Sequence, residues 1–191
     1  MADAYVLSKT LAEKAAWDYH SKMAPEEAFE LVCVNPGLVM GPSFVGKGFT
    51  SGEIMDLFMM GVLPGQPRVM MTLVDVREVA LAHLQAIKVP EARNHRFILV
   101  NTSLWFSEIA HALHAEFATQ GYTINVGEMG YCTVSCISCF NSQAAAMKNL
   151  WDVELRCDNT ASKEILKIEY EPNFGKVLVD MAYSMIETGA I

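Results

Sequence analysis

Tyr5 and Lys9 stand four residues apart in the segment YVLSKTLAEKAAW. On a helix that spacing lays a phenol and an ammonium over the same face, one turn apart. An ammonium close to a phenol favours the phenolate, the property a general acid–base needs near neutral pH. The ammonium has further donors that can hold a sugar hydroxyl. The same pair also arises by accident on solvated helix faces, so its weight rests on its surroundings.

A second group is Cys132, Cys136 and Cys139, spaced C-x3-C-x2-C. Thiolates at that spacing hold an iron–sulfur cluster in radical-SAM enzymes. Here Ser138 precedes the last cysteine where an aromatic is usual, and too little chain follows to build a barrel. A zinc site would need a fourth ligand, from Cys157 or His114. The preferred reading is three buried small residues on an irregular segment, with no metal. His83 falls on an apolar helix face and reads as a core residue. His111 and His114 are three apart on one helix without a supporting carboxylate pattern.

The elements that must position these groups follow from the apolar pattern. Asp3 can cap a helix running to about Lys22, with Leu7, Leu11, Ala15, Trp17 and Tyr19 as its apolar positions. Pro25 breaks the chain. AFELVCVNPG reads as a strand, apolar on both faces from Leu31 to Val34, as suits an inner strand of a parallel sheet. GLVMGPSFVGKGFTSG is a loop long and Gly-rich enough to line a site. Glu53 to Met60 is helical in spacing, and RVMMTLV is a short strand. Asp75 caps the next helix, whose predicted buried face is Val76, Val79, Ala80, His83 and Ile87. RFILV is a second buried strand, and a helix from about Leu104 to Ala118 follows with Ser103 as its cap. Beyond Gly121 the pattern supports one strand and a loop. A short helix, a proline turn and an amphipathic helix on Val177, Met181, Met185 and Ile186 close the sequence.

Composition sets the class. Apolar residues are 52% and charged residues 19%, enough to bury a core within 191 residues. The 14 Lys and Arg against 22 Asp and Glu give a net charge of −8, which argues against a nucleic-acid partner. No stretch approaches a membrane span. Five cysteines without dense spacing point to a reducing, cytoplasmic setting.

YVLSKTLAEKAAW, NPGLVMGP, LVDVREVALAHLQAI and NHRFILVN, in this order, resemble the extended short-chain dehydrogenase/reductase superfamily (NAD-dependent epimerase/dehydratase-like). The likeness is greatest to its dihydroflavonol 4-reductase and cinnamoyl-CoA reductase-like branch. The resemblance implies that Tyr5 gives the proton to a carbonyl under reduction, that Lys9 tunes it and bonds the nicotinamide ribose, and that Tyr5 and Lys9 both belong to the cofactor-binding set. It places Pro36, Gly37, Leu38 and Val39 against the nicotinamide, and Gly41, Pro42 and Ser43 on the substrate side. The cofactor it implies is NADP or NAD, and the substrate a small carbonyl compound. Asp75 is expected to cap a helix rather than to do chemistry.

The sequence departs from that family in what it lacks. No G-x-G-x-x-G opens a βαβ unit, the turn that seats the pyrophosphate at a helix N-terminus. GKGFTSG lacks a preceding strand. The residue that reads the adenosine ribose and the active-site Ser or Thr are absent with the turn. The expected fold is therefore α/β, the last two strands and flanking helices of a Rossmann-type parallel sheet plus a small mixed α/β substrate lobe. The expected organisation is a single truncated reductase-like domain over 1–191. Residues 1–40 and 68–101 would belong to the dinucleotide-binding sheet, and 41–67 and 102–191 to the substrate side. Weak or no nicotinamide binding is expected of this chain alone. A partner chain or self-association is expected at the uncovered strand edge. Two functions follow: a carbonyl reductase that borrows its other half, or a non-catalytic accessory subunit docking through that edge.

Overall fold

In the computed structural model, which describes residues 4–139 and 142–191, the chain opens on helix α1 (Ala4–His20). Asp3, the expected cap, lies outside the described residues, as do Phe140 and Asn141. Strands β1 (Cys33–Pro36) and β2 (Leu38–Met40) follow almost without a break, then α2 (Thr50–Met59). The middle of the chain holds β3 (Gln66–Pro67), β4 (Met70–Asp75), α3 (Val76–Lys88), β5 (Arg96–Leu99), β6 (Thr102–Trp105) and α4 (Phe106–Phe117). It ends with β7 (Glu128–Met129), α5 (Tyr131–Ile137), α6 (Ser142–Asn149), α7 (Thr160–Glu164) and α8 (Phe174–Glu187).

Among the described residues the strands form three small sheets. β1 pairs parallel with β5, Cys33 opposite Arg96 and Pro36 opposite Leu99. β2 pairs parallel with β4, which pairs antiparallel with β6. β3 and β7 make a two-residue parallel contact. The run 33–40 thus leaves one sheet and enters the next at Gly37. Its N–H donates to the Leu99 carbonyl at 2.9 Å. A Cβ there would stand 2.6 Å from the Thr72 carbonyl oxygen, so only glycine lets the two backbones approach.

Two apolar clusters hold these layers. The larger gathers Met55, Phe58, Leu73, Phe106, Leu113, Phe117, Leu178 and Met181 between α2, α4, α8 and β4. The other packs Val74, Ala82, Phe97, Leu99, Leu166 and Ile168 around β5 and α3. α8 buries Val177, Met181 and Met185 as its pattern predicts, with Leu178 and Ala182 beside them.

Several expectations are corrected. α1 is helical but buries none of its side chains; Leu7 and Leu11 are exposed. The inward face of α3 is Glu78, Val79, Ala82 and Ala86, which shares only Val79 with the predicted one; Val76, Ala80, His83 and Ile87 are exposed. His83 is therefore no core residue; its Nδ1 meets the Val79 carbonyl at 2.8 Å. Ser103 does not cap α4. It lies in β6, and the Trp105 N–H at the helix start donates to Glu108 Oε2 at 2.8 Å. Cys132 and Cys136 lie on α5 rather than on an irregular segment, and they and Cys139 are exposed rather than buried. His111 and His114 are exposed on α4. Among the described residues no group of three or more His, Cys, Asp or Glu is placed to hold a metal, and no helix is long and apolar enough to cross a membrane.

Candidate functional site

α1 carries Tyr5 and Lys9 on its exposed surface, with the Lys9 ammonium 5.5 Å from the centre of the Tyr5 ring. The helix forms because YVLSKTLAEKAAWDYH has no Gly or Pro and is rich in Ala, Leu, Lys and Glu. Its direction follows from two contacts. His20 Nε2 lies 2.6 Å from the Phe29 carbonyl, ahead of β1, while Glu13 reaches Asn35 near the strand's end. α1 therefore runs antiparallel to β1 and projects Tyr5 and Lys9 past the carboxyl end of the strand. Ligands bind open α/β sheets at that end.

Glu13 ties the helix to the sheet. Its Oε1 accepts from Arg96 Nε at 2.8 Å and its Oε2 from Arg96 Nη2 at 3.1 Å. Trp17 Nε1 (3.3 Å) and Asn35 Nδ2 (3.5 Å) also donate to Oε1. The Arg96 guanidinium, helped by Trp17 and Asn35, holds the Glu13 carboxyl down at about 2 against the opposing effect of burial. Burial pushes the neighbouring Cys33 thiol up, and the Glu13 carboxylate adds to that. A carboxyl depressed in the fold stabilises it above its unfolded value and ceases to do so as pH falls through the folded one. The stability gap between the native chain and Glu13→Gln is expected to be about 1 kcal/mol at pH 7, as for a well-formed but partly exposed pair. Urea unfolding of both should see it hold down to about pH 4.5 and close by about pH 2. A gap constant across that range would mean that Glu13 is not ionically paired.

The segment 36–43 runs from the last residue of β1 through β2 into the loop that follows. Pro36 is exposed, and Leu38 and Val39 turn to opposite clusters. Their side chains are spent on packing, which leaves backbone to meet a ligand. Gly41 has φ +119°, its N–H points to Met181 Sδ at 3.4 Å, and a Cβ would stand 2.9 Å from Asp75 Oδ1. Ser43 donates its N–H to Ser184 Oγ at 2.9 Å and its hydroxyl to the Val45 carbonyl at 2.8 Å. Beside this loop a cavity of about 200 Å³ is lined by Lys47, Phe49, Glu53, Asp56 and Met185. Phe44, in the same loop, is fully exposed.

Asp75 lies against the start of this loop, opposite Met40 in the β2–β4 pairing. It accepts the Arg77 N–H at 2.8 Å as a helix cap, and Glu78 Oε2 accepts the Asp75 N–H at 3.0 Å, a complete capping box. Arg77 also bridges Asp75 to Asp180 on α8. The expectation that Asp75 caps the helix is met.

Sequence reasoning brought Tyr5 and Lys9 together, and the structure places them side by side. It missed Glu13 and Arg96, which are 83 residues apart. Only Glu13's place one turn after Lys9 could have flagged the pair.

No family model matches the chain. It is 29% identical over 192 residues to an NADPH-dependent methylglyoxal reductase of Saccharomyces cerevisiae, covering 97% of this chain and 51% of that protein. It is 32% identical over 109 residues to cinnamoyl-CoA reductase 2 of Arabidopsis thaliana, covering 57% and 31%. Among solved structures it superposes on the NADPH complex of Gre2 from Candida albicans with a TM-score of 0.68 at 26% identity, covering 95% and 50%. The chain spans about half the length of the first of these relatives and of the solved chain.

Proposed function

Because the chain belongs to the extended short-chain dehydrogenase/reductase superfamily, we propose that it carries the proton-donor half of an NADPH-dependent carbonyl reductase site. The observation that supports this most is the Tyr5–Lys9 pair, ring and ammonium 5.5 Å apart on an exposed helix face at the carboxyl end of a parallel strand. The residues present fit the nicotinamide end of such a cofactor. An accessible ammonium can hold the ribose hydroxyls, and the backbone of Pro36 to Val39 lies at the same end of the sheet. The pyrophosphate end calls for a glycine-rich turn that this sequence does not contain. A reduced nicotinamide bound there would supply the hydride. The Tyr5 hydroxyl hydrogen-bonds the carbonyl oxygen and passes it a proton as negative charge develops. Lys9 stabilises the phenolate left behind. Gly41, Pro42, Ser43 and the adjoining cavity take the remainder of a small carbonyl substrate.

Activity then requires a further segment carrying the glycine-rich turn, joined to this chain or separate from it. The outer edge of β1 suits that segment, with exposed Ile87 and Leu84 on one side and α1 on the other. A 400 Å³ groove lined by Val32, Val34, His83, Ala86 and Ile87 runs beside the strand. The same edge supports the second reading, an accessory subunit that docks without catalysing.

Titrating NADPH against this chain, followed by nicotinamide fluorescence, tests the division of labour. Weak or no binding is expected alone, because phosphate contacts supply most of the anchoring. Adding a glycine-rich segment from a reductase relative should restore binding and oxidation of NADPH by methylglyoxal. Submicromolar binding by the chain alone would overturn the proposed split. Restored binding with no turnover would favour the accessory reading.

A further inference from the structure

The geometry points to Glu13 as the residue that positions the Tyr5–Lys9 pair, through its forked ion pair with Arg96 on β5; this rests on the catalytic reading of that pair. A helix packed on a sheet is usually held in rotation and translation by its apolar stripe. α1 has only a slight stripe of this kind: Ala16, Trp17 and His20 towards its C-terminal end are half-buried, no side chain is fully buried, and Leu7, Leu11 and Tyr19 are exposed. Among the described residues its polar contacts to the strands centre on Glu13, which meets Arg96 on β5 and Asn35 on β1.

The contact has the geometry a positioning device needs. Two parallel N–H···O bonds from a planar guanidinium fix orientation as well as distance. Trp17, four residues on, braces the same carboxylate oxygen. Tyr5, Lys9 and Glu13 are spaced i, i+4 and i+8, so they share one face and the rotation set at Glu13 is the rotation of the other two. Tyr5 lies about 12 Å up the helix from the clamp. At the radius of its phenol a rotation of roughly ten degrees displaces the hydroxyl by about 1 Å, an error able to cost about 10²-fold in rate.

The test is a double-mutant cycle in the full chain, with Glu13→Ala, Arg96→Ala, the double variant and Arg96→Lys. Alanine is the strongest helix former, so the first variant removes the clamp without weakening α1 itself. Hydrogen exchange of residues 4–20, read by mass spectrometry, is expected to speed up about equally in both single variants and no further in the double. Exchange elsewhere should stay unchanged, and Arg96→Lys, which keeps the charge and loses the fork, should fall between. In the complemented reductase assay Glu13→Ala should lower kcat about 10-fold or more, with KM for the carbonyl within twofold.

Unchanged exchange over 4–20, or additive effects in the double variant, would overturn the clamp. Faster exchange with kcat intact, while Tyr5→Phe abolishes turnover, would overturn the positioning role and leave Tyr5 as proton donor. An inert Tyr5→Phe would instead remove the catalytic reading, and the exchange data would still decide whether Glu13 sets the place of α1.

Discussion

Tyr5→Phe is expected to lower kcat for carbonyl reduction by about 10²–10⁴-fold in the complemented assembly, the range a positioned proton donor supplies. KM for NADPH should move little, because the ribose contact belongs to Lys9. The fold should be indifferent, since the change deletes a single oxygen from a side chain that is 67% exposed on a helix with no buried residues. Loss of turnover with an unchanged melting temperature is therefore the signature of chemistry rather than of damage. NADPH consumption followed by absorbance, beside a thermal melt of the same sample, reads both quantities. Turnover within twofold of the native chain would leave Tyr5 without a role in proton transfer and favour the accessory subunit.

The parts of this site that were legible in the sequence are those whose partners are close in sequence. Tyr5 and Lys9 are one helical turn apart, and the Asp75 cap lies next to the helix it closes. Strands β4 and β5 and helix α8 were legible for a similar reason, their apolar residues recurring at strand or helix spacing. What was hidden depends on long-range pairing. Glu13 reads as one more solvated acid until Arg96 arrives from the second strand. β6 resembled the start of a helix because Leu104 and Trp105 continue the apolar spacing of α4. Only the antiparallel pairing with β4, Met70 opposite Trp105, extends them. α5 (YCTVSCI) mixes an aromatic, β-branched residues, serine and cysteines, whose weak helix propensity gives no periodic signal. The face of α3 was misplaced for a sharper reason: its centre is a buried glutamate. A rule that looks for apolar residues inward must turn the helix away from Glu78.

That glutamate carries the largest expected effect on stability. Glu78 is buried and both of its carboxylate oxygens accept hydrogen bonds. Oε2 accepts the Asp75 N–H at 3.0 Å, while Oε1 accepts Asn101 Nδ2 at 2.9 Å and the Glu171 N–H at 2.7 Å. One carboxylate thus joins the start of α3, the turn between β5 and β6 and the segment leading into α8. Glu78→Ala leaves three donors without their acceptor in a site that excludes most water. Each orphaned donor costs about 1–3 kcal/mol, with partial relief where water can enter, so a loss of about 3 kcal/mol is expected. For a chain of this size that corresponds to roughly 6–12 °C in melting temperature. Glu78→Gln separates charge from hydrogen bonding. Its amide oxygen can still serve Asn101 and Glu171, but its amide nitrogen then faces the Asp75 N–H, donor against donor. A loss of about 1–2 kcal/mol is expected, smaller than for alanine yet clearly measurable by urea unfolding. Equal losses in the two variants would mean that the Asp75 contact dominates. No loss in either would show that the hub is solvated.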